Sequence, residues 1–398
     1  MMALLMALQA FGIDAILPAL DELAVALSVE GNDRQFVIGV FLLTAGIGAL
    51  WPGALADRYG RRPVLLTSIA VYIVLSIASA LVTSYDALIA VRAAQGFFGA
   101  GIVALPPAII RDRVGGDKMA RMMSLIFVIF LMVPAIAPSI GELILLVADW
   151  RGIFAAMAIM GACVGAWVYF RLPESLSDEN RQEIRPAVIA RNMGSALSNR
   201  SVIGYILGSS LVFGSLFGFI NSSQQLIGES FDAADIFPII FGICAGSMAL
   251  ASWSNSRIVE RFGARRVSHT ALFAFIFVSS LQVYFAFQPD ESLWHFVPLM
   301  AINMMLLGFI GSNFGAIAMN PFFAIAGAAS SVHGFVRMTT AAVLGGAIGY
   351  AYDGTPRPLA LALLASGFVC LVLVLFSEKG KLFGPPDAQM GPTKMKNI

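Results

Sequence analysis

Apolar and polar positions alternate along this chain on a coarse scale: long apolar runs are broken by short polar bursts. Cutting at charges, prolines and glycines gives twelve apolar spans, at 2–20, 34–54, 63–83, 86–108, 121–146, 151–172, 201–222, 235–256, 266–287, 293–318, 328–351 and 357–377. Each has close to the ~20 residues a helix needs to cross a hydrocarbon core of ~30 Å. A lone apolar segment in lipid must satisfy its own backbone, which a helix does. Barrel strands would be about ten residues long and alternating; these runs are longer and do not alternate. The pattern therefore predicts an all-α integral membrane protein with twelve transmembrane helices. The first run lacks the basic leader of a signal peptide and reads as a retained span. Its abrupt start is consistent with a chain that begins a few residues further upstream.

Composition sharpens this. The chain is 58% hydrophobic and 12% charged, with a mean hydropathy of +0.83, against about 25% charged for a soluble domain. No soluble surface can be built from so few polar residues, and a net charge of +1 offers nothing to nucleic acid. Cys163, Cys244 and Cys370 lie inside apolar runs, without the spacing of a disulfide framework or a metal site. Twenty of the 25 Lys and Arg residues fall on one side if the N-terminus is inside, and only Arg34, Arg151 and Arg357 occupy the opposite loops. The positive-inside rule then puts both termini in the cytoplasm, with the chain crossing the cytoplasmic (inner) membrane. Arg92 and Arg337 lie within spans.

The polar segment 173–200 divides the chain into a six-helix bundle at 1–172 and another at 201–378, followed by a cytoplasmic tail at 379–398. A repeat supports the division. Asp57, Arg58, Tyr59, Gly60 and Arg62 in "GALADRYGRR" are matched 203 residues on by Glu260, Arg261, Phe262, Gly263 and Arg265 in "SRIVERFGAR". Both copies link the second and third helices of their bundle, as expected of parallel pseudo-symmetric halves.

Residues Gly53, Leu55, Asp57, Arg58, Gly60, Arg61, Arg62 and Pro63 resemble the loop 2–3 signature of the major facilitator superfamily. That resemblance implies two pseudo-symmetric six-helix bundles and a conformational latch between them at the cytoplasmic face, carried by Gly53, Asp57, Arg58, Gly60, Arg61, Arg62, Glu260, Arg261 and Gly263. On physical grounds Gly53 permits a close helix approach, Gly60 a tight turn, and Asp57 a helix cap or an arginine pair. The competing reading is an anchoring loop that obeys the positive-inside rule.

Four spans carry polar groups at depth. In "LQAFGIDAILPAL", Asp14 lies about two-thirds of the way across, four residues before Pro18. A carboxylate there does not stay charged unless paired, and Asp14 with Pro18 is similar to the D-x-x-x-P of drug/proton antiporters. Arg92 with Gln95, Gly96 and Gly99 resembles the family's helix 4 signature, whose arginine is implicated in proton transfer; alternatively Arg92 snorkels to the outer boundary. Pro138 and Gly141 in "VPAIAPSIGE" are similar to the antiporter signature of helix 5, and Pro134 with Pro138 predicts a bent helix. Glu142 departs from that signature and reads either as a second protonatable site or as a carboxylate reaching water. Pro321, Ala326, Gly327, Ala329, Ser330, Ser331, Gly334 and Phe335 resemble the bicyclomycin-resistance branch of the drug/proton antiporters. That branch usually has glutamine where this chain has Arg337, near the midplane, and a cation there calls for an anion from Asp14, from Glu142 or from the substrate.

The resemblance implies a secondary active transporter that expels hydrophobic drugs or metabolites in exchange for protons by alternating access. Asp14, Arg92 and Glu142 are the proton-coupling candidates. Phe217, Asn221, Gln225, Phe241, Asn303 and Arg337 are the cavity candidates. The alternative is an organic-anion or metabolite transporter of the same fold, using Arg92 and Arg337. A transporter-like membrane sensor is a remote third. The sequence has no phosphate-binding loop of the G-x-x-x-x-G-K-[ST] type, so the expected energy source is an ion gradient or the substrate's own; the resemblance implies a proton gradient, with no cofactor. The expected partners are a small molecule, protons and the lipid bilayer, with the chain a monomer and not an enzyme.

Overall fold

The computed structural model describes residues 1–113, 126, 133, 136–176, 181, 194, 197–289, 291–321 and 326–383, apart from the side chains of Arg111 and 326–330. Pro134, most of the linker, the first part of the fifth span and the tail beyond 383 lie outside the described residues. A helix stands at each of the twelve predicted positions. Among the described residues nine are long and apolar enough to cross a bilayer, ten if one bent pair counts as a single span.

The first span is broken: α1 (Met2–Asp14) gives way to a 3-10 turn (Leu17–Ala19) and then α2 (Leu20–Ala26). Pro18 is the cause. It has no N–H to offer the Asp14 carbonyl four residues back. The second span is also not one straight helix. α3 (Phe36–Gly48) and α4 (Pro52–Tyr59) meet at 45°, with Pro52 in the first turn of α4. The other helices are α5 (Arg61–Leu81), α6 (Tyr85–Arg113), α7 (Ile136–Leu145) and α8 (Trp150–Arg171). Then follow α9 (Arg200–Gln225), α10 (Phe237–Phe262), α11 (Ala264–Ala286), α12 (Leu293–Met319), α13 (Ala326–Tyr350) and α14 (Arg357–Ser377). Asp149 and Asn199 start α8 and α9 by accepting the N–H groups of Arg151 and Ser201, which satisfies donors the helix cannot.

Packing repeats between the halves. α3 on α6, α5 on α6 and α8, and α1 on α6 and α8 recur as α10 on α12, α11 on α12 and α14, and α9 on α12 and α14. The seam between bundles runs where α13 lies against α3. Large apolar side chains such as Trp167, Phe170, Phe277 and Phe376 point outward. So apolar a lateral surface suits lipid rather than water.

Candidate functional site

One face of the protein carries the Gly60 and Gly263 turns and is called the basic face below. Both glycines adopt the left-handed backbone region, at φ +101° and +81°, where a side chain is strained. They are the turns between α4 and α5 and between α10 and α11, so the repeat seen in sequence is a repeat of conformation. Arg58 lies over Tyr59 and Arg261 over Phe262, each at 5.4 Å from the ring centre.

The loop is fastened within its own bundle. Arg61 reaches Asp57 at 2.6 Å and Asp112, at the end of α6, at 3.0 Å. Glu174, just past α8, accepts the backbone N–H of Arg61 at 2.9 Å and of Arg62 at 3.1 Å, so an anion sits on the open N-terminus of α5. Partial burial works against the Glu174 carboxylate, but N–H donors from Leu176, Arg61, Arg62 and Ser175 hold it below the usual glutamate range. In the second bundle the anchoring acid is Glu378, which pairs with Arg265 at 2.8 Å and accepts the Tyr205 hydroxyl at 2.6 Å. One expectation is corrected here, that for Gly53, and among the described residues two latch candidates make no bond across the seam in this structure. Asp57 bonds inside its bundle rather than across the seam. Glu260 is exposed and among the described residues has no partner; the acid that anchors this turn is Glu378. A Cβ at Gly53 would meet nothing within 4 Å, so no close helix approach depends on that glycine.

Glu174→Gln keeps the side-chain shape and removes the charge. It is expected to lower stability by roughly 0.5–1 kcal/mol, the low end for a cap because the site is exposed. The lowered pKa means the wild-type contribution is whole above the ordinary glutamate value of 4.5 and is lost as pH falls through the native value below it. Melting curves of wild type and variant in detergent should therefore differ at pH 7 and converge as the pH falls below that range.

Asp14 closes α1 at the break in the first span. It is only 2% exposed, and its Oδ1 is buried without a hydrogen-bond partner. α7 crosses directly behind it: a Cβ at Gly141 would run into the Ala15 carbonyl and into Pro18 at 3.0 Å, so glycine is required where the helices touch. Pro138 lies in α7; the expected bend at Pro134 and Pro138 falls on a stretch most of which lies outside the described residues.

Arg92 does not pair with Asp14. Its Nη2 donates to the Gly12 carbonyl at 3.0 Å, its Nε to the Val37 carbonyl at 3.2 Å, and its Nη1 to Gln95 at 2.7 Å. Gln95 in turn donates to Ser76 at 2.8 Å. The guanidinium lies over Phe41 at 4.3 Å and Phe154 at 5.7 Å, with no exposed surface. It is a neutral-acceptor clasp joining α1, α3 and α6, sealed from the seam; it does not snorkel. Glu142 is half-buried in α7, with no bond to Asp14 or Arg92.

The cavity candidates separate. Phe241 is packed between Phe219 and Phe237, at 5.8 and 5.6 Å, and is core rather than lining. Asn303 is also core: it donates to Gln282 at 2.6 Å and accepts from Ser279 at 3.3 Å, tying α12 to α11. Phe217 is in ring contact with Phe213 at 5.0 Å. Asn221 is fully buried with both amide atoms unpartnered. Arg337 is half-buried above the Phe213 ring at 4.6 Å.

Gln225 belongs to a set the sequence did not single out, at the face opposite the basic one. There Arg34 contacts Asp21 and reaches Glu229 of the other bundle at 2.5 Å, while Gln224 donates to Asp21. Gln35 donates to Gln225 at 2.9 Å, and Gln225 to Asn32 at 2.8 Å. Asn32 donates to the Tyr350 and Tyr352 carbonyls at 2.9 and 3.0 Å. These contacts clamp the two bundles together at that face. The only signal in the sequence was a run of polar residues, "GNDRQ", at the entry to a span.

Two repeated helical bundles meeting at a seam, with an ionisable residue at a broken helix, define a membrane carrier. The chain matches the Major Facilitator Superfamily over residues 2–350 and belongs to that family. It is 30% identical over 376 residues to a bicyclomycin resistance protein homolog of Haemophilus influenzae, covering 94% of each chain. It is 28% identical over 381 residues to the multidrug resistance protein MdtL of Escherichia coli, covering 93% of each. Among solved structures, a D-xylose-proton symporter shares the fold with a TM-score of 0.72 at 16% identity, over 96% of this chain and 98% of that one.

Proposed function

We propose that this protein is a proton-coupled exporter of small organic molecules, working by alternating access in the inner membrane as a monomer, with its basic face and termini in the cytoplasm. The observation that carries the coupling is Asp14, a carboxyl group buried at a helix break with an unpartnered oxygen. A buried carboxylate is costly when charged and unpaired, so its protonation changes which arrangement of the bundles is favoured. Arg92 holds the last turn of α1 through the Gly12 carbonyl and so positions Asp14 without neutralising it. The clamp at the face opposite the basic one supports an assignment of this structure to the state closed toward the outside. Export is supported by the names of the curated relatives, a bicyclomycin resistance protein homolog and a multidrug resistance protein.

Inverted vesicles carrying the protein are energised until a pH-sensitive dye is quenched, then given cationic, neutral and anionic compounds. At least one compound is expected to release the quench, and Asp14→Asn to abolish the release. Release that persists in Asp14→Asn would remove Asp14 from the coupling. Transport of a compound with no proton movement would replace exchange by facilitated diffusion.

A further inference from the structure

We infer that the substrate carries an oxyanion, a carboxylate or sulfonate on an apolar body, and that Arg337 binds it. The proposal rests on the transport reading above and adds the chemical class of what is moved.

The two intramembrane arginines are opposites. Arg92 has an acceptor on each of its three nitrogens and no exposed surface. No ligand reaches it, which removes it from the anion-binding pair the sequence offered. Arg337 stands near the middle of α13, half-buried, with its Nε buried and without an acceptor. Among the described residues no carboxylate lies within ion-pair distance of it. Asp14, the deepest acid of the first bundle, is without it as well.

An arginine at this depth is costly unless something completes it, and its planar fork matches a carboxylate or sulfonate with two parallel hydrogen bonds. Its location suits a transported ligand. The next residues of α13, Met338 and Thr339, face Gly46 of α3 across the seam, so Arg337 sits beside the surface along which the bundles move. The Phe213 ring beneath the guanidinium and Phe217 next to it give an apolar wall for the rest of the molecule. His333, one turn earlier, is bonded to Ser209 at 2.8 Å and holds α13 to α9 at that level.

The test measures binding to the purified full-length protein in detergent at pH 7, with no gradient, so that the result does not depend on proton coupling. The probes are matched pairs of aromatic carboxylates and their carboxamides, of one, two and three fused rings. In at least one pair the carboxylate is expected to bind about ten- to a hundredfold more tightly than its amide. Arg337→Gln should erase that preference, and Arg337→Lys should keep part of it. Retained melting temperature shows that the variants are folded. Equal binding within every pair, preference for amides, no carboxylate binding, or a carboxylate preference that survives in folded Arg337→Gln would each overturn the proposal. Should anion preference hold while the vesicle assay shows no proton movement, the coupling fails and the anion site stands; the reverse result discards the site alone.

Discussion

Arg92→Leu is expected to leave little folded protein in the membrane. The substitution strands the Gly12 carbonyl in the last turn of α1, where helix carbonyls have no partner of their own, and breaks the link to Gln95. A buried acceptor left unpaired costs about 1–3 kcal/mol. The stacking over Phe41 and Phe154 is worth up to about 2 kcal/mol where water is excluded. Together the loss is roughly 4 kcal/mol, a large part of the ~5–15 kcal/mol that holds a domain folded. Arg92→Lys keeps the charge but not the three-way fork, and its loss should be intermediate. Size-exclusion profiles and melting in detergent would show this directly, with Arg337→Gln as the contrast: among the described residues that variant removes no hydrogen bond or ion pair, only the stacking over Phe213, and should melt within about 1 kcal/mol of wild type. If Arg92→Leu folds and melts like wild type but no longer moves protons, the arginine acts in proton transfer and the clasp is incidental.

The difference between the two arginines also marks the limit of what the sequence conveys. Span positions were legible because apolar run length is dictated by bilayer thickness, and the repeat was legible because the left-handed turns at Gly60 and Gly263 need glycine. The break at Asp14 could be read from Pro18. Partnership could not. Arg92 and Arg337 look equivalent as single basic residues in apolar runs, and only the fold brings Gly12 and Val37 to one while leaving the other open. Glu174 and Glu378 read as ordinary loop charges, yet each anchors the turn of its bundle from more than a hundred residues away. Charge density did not point to the face that is joined in this structure. The dense arginines of the basic face record a bias in membrane orientation, and the latch was expected there. The polar contacts that join the bundles in this structure gather at the opposite face, poor in Lys and Arg, where the Arg34–Glu229 pair stands beside bonds among Asn32, Gln35 and Gln225.

Asn32→Ala is expected to open that face. Asn32 makes three bonds to the other bundle, to Tyr350, Tyr352 and Gln225, and its loss also loosens Gln225 and Gln35, each about 1% exposed. Hydrogen bonds contribute about 1 kcal/mol each, so removing three shifts the balance between closed and open states by about 2–3 kcal/mol, or roughly 30- to 150-fold. Arg34→Ala should do less, because Asp21 and Glu229 keep about half their surface and screened pairs are worth up to about 1 kcal/mol. Asn221, buried behind the clamp, is the reporter. In a background with Cys163, Cys244 and Cys370 replaced, Asn221→Cys should react slowly with a membrane-impermeant maleimide added to whole cells, and faster by an order of magnitude or more when Asn32→Ala is also present. Acceleration seen only in inverted vesicles would reverse the assignment of faces. An unchanged rate from both sides would mean that the clamp does not hold this state closed, and that the bundles are kept together by the apolar packing of α13 on α3.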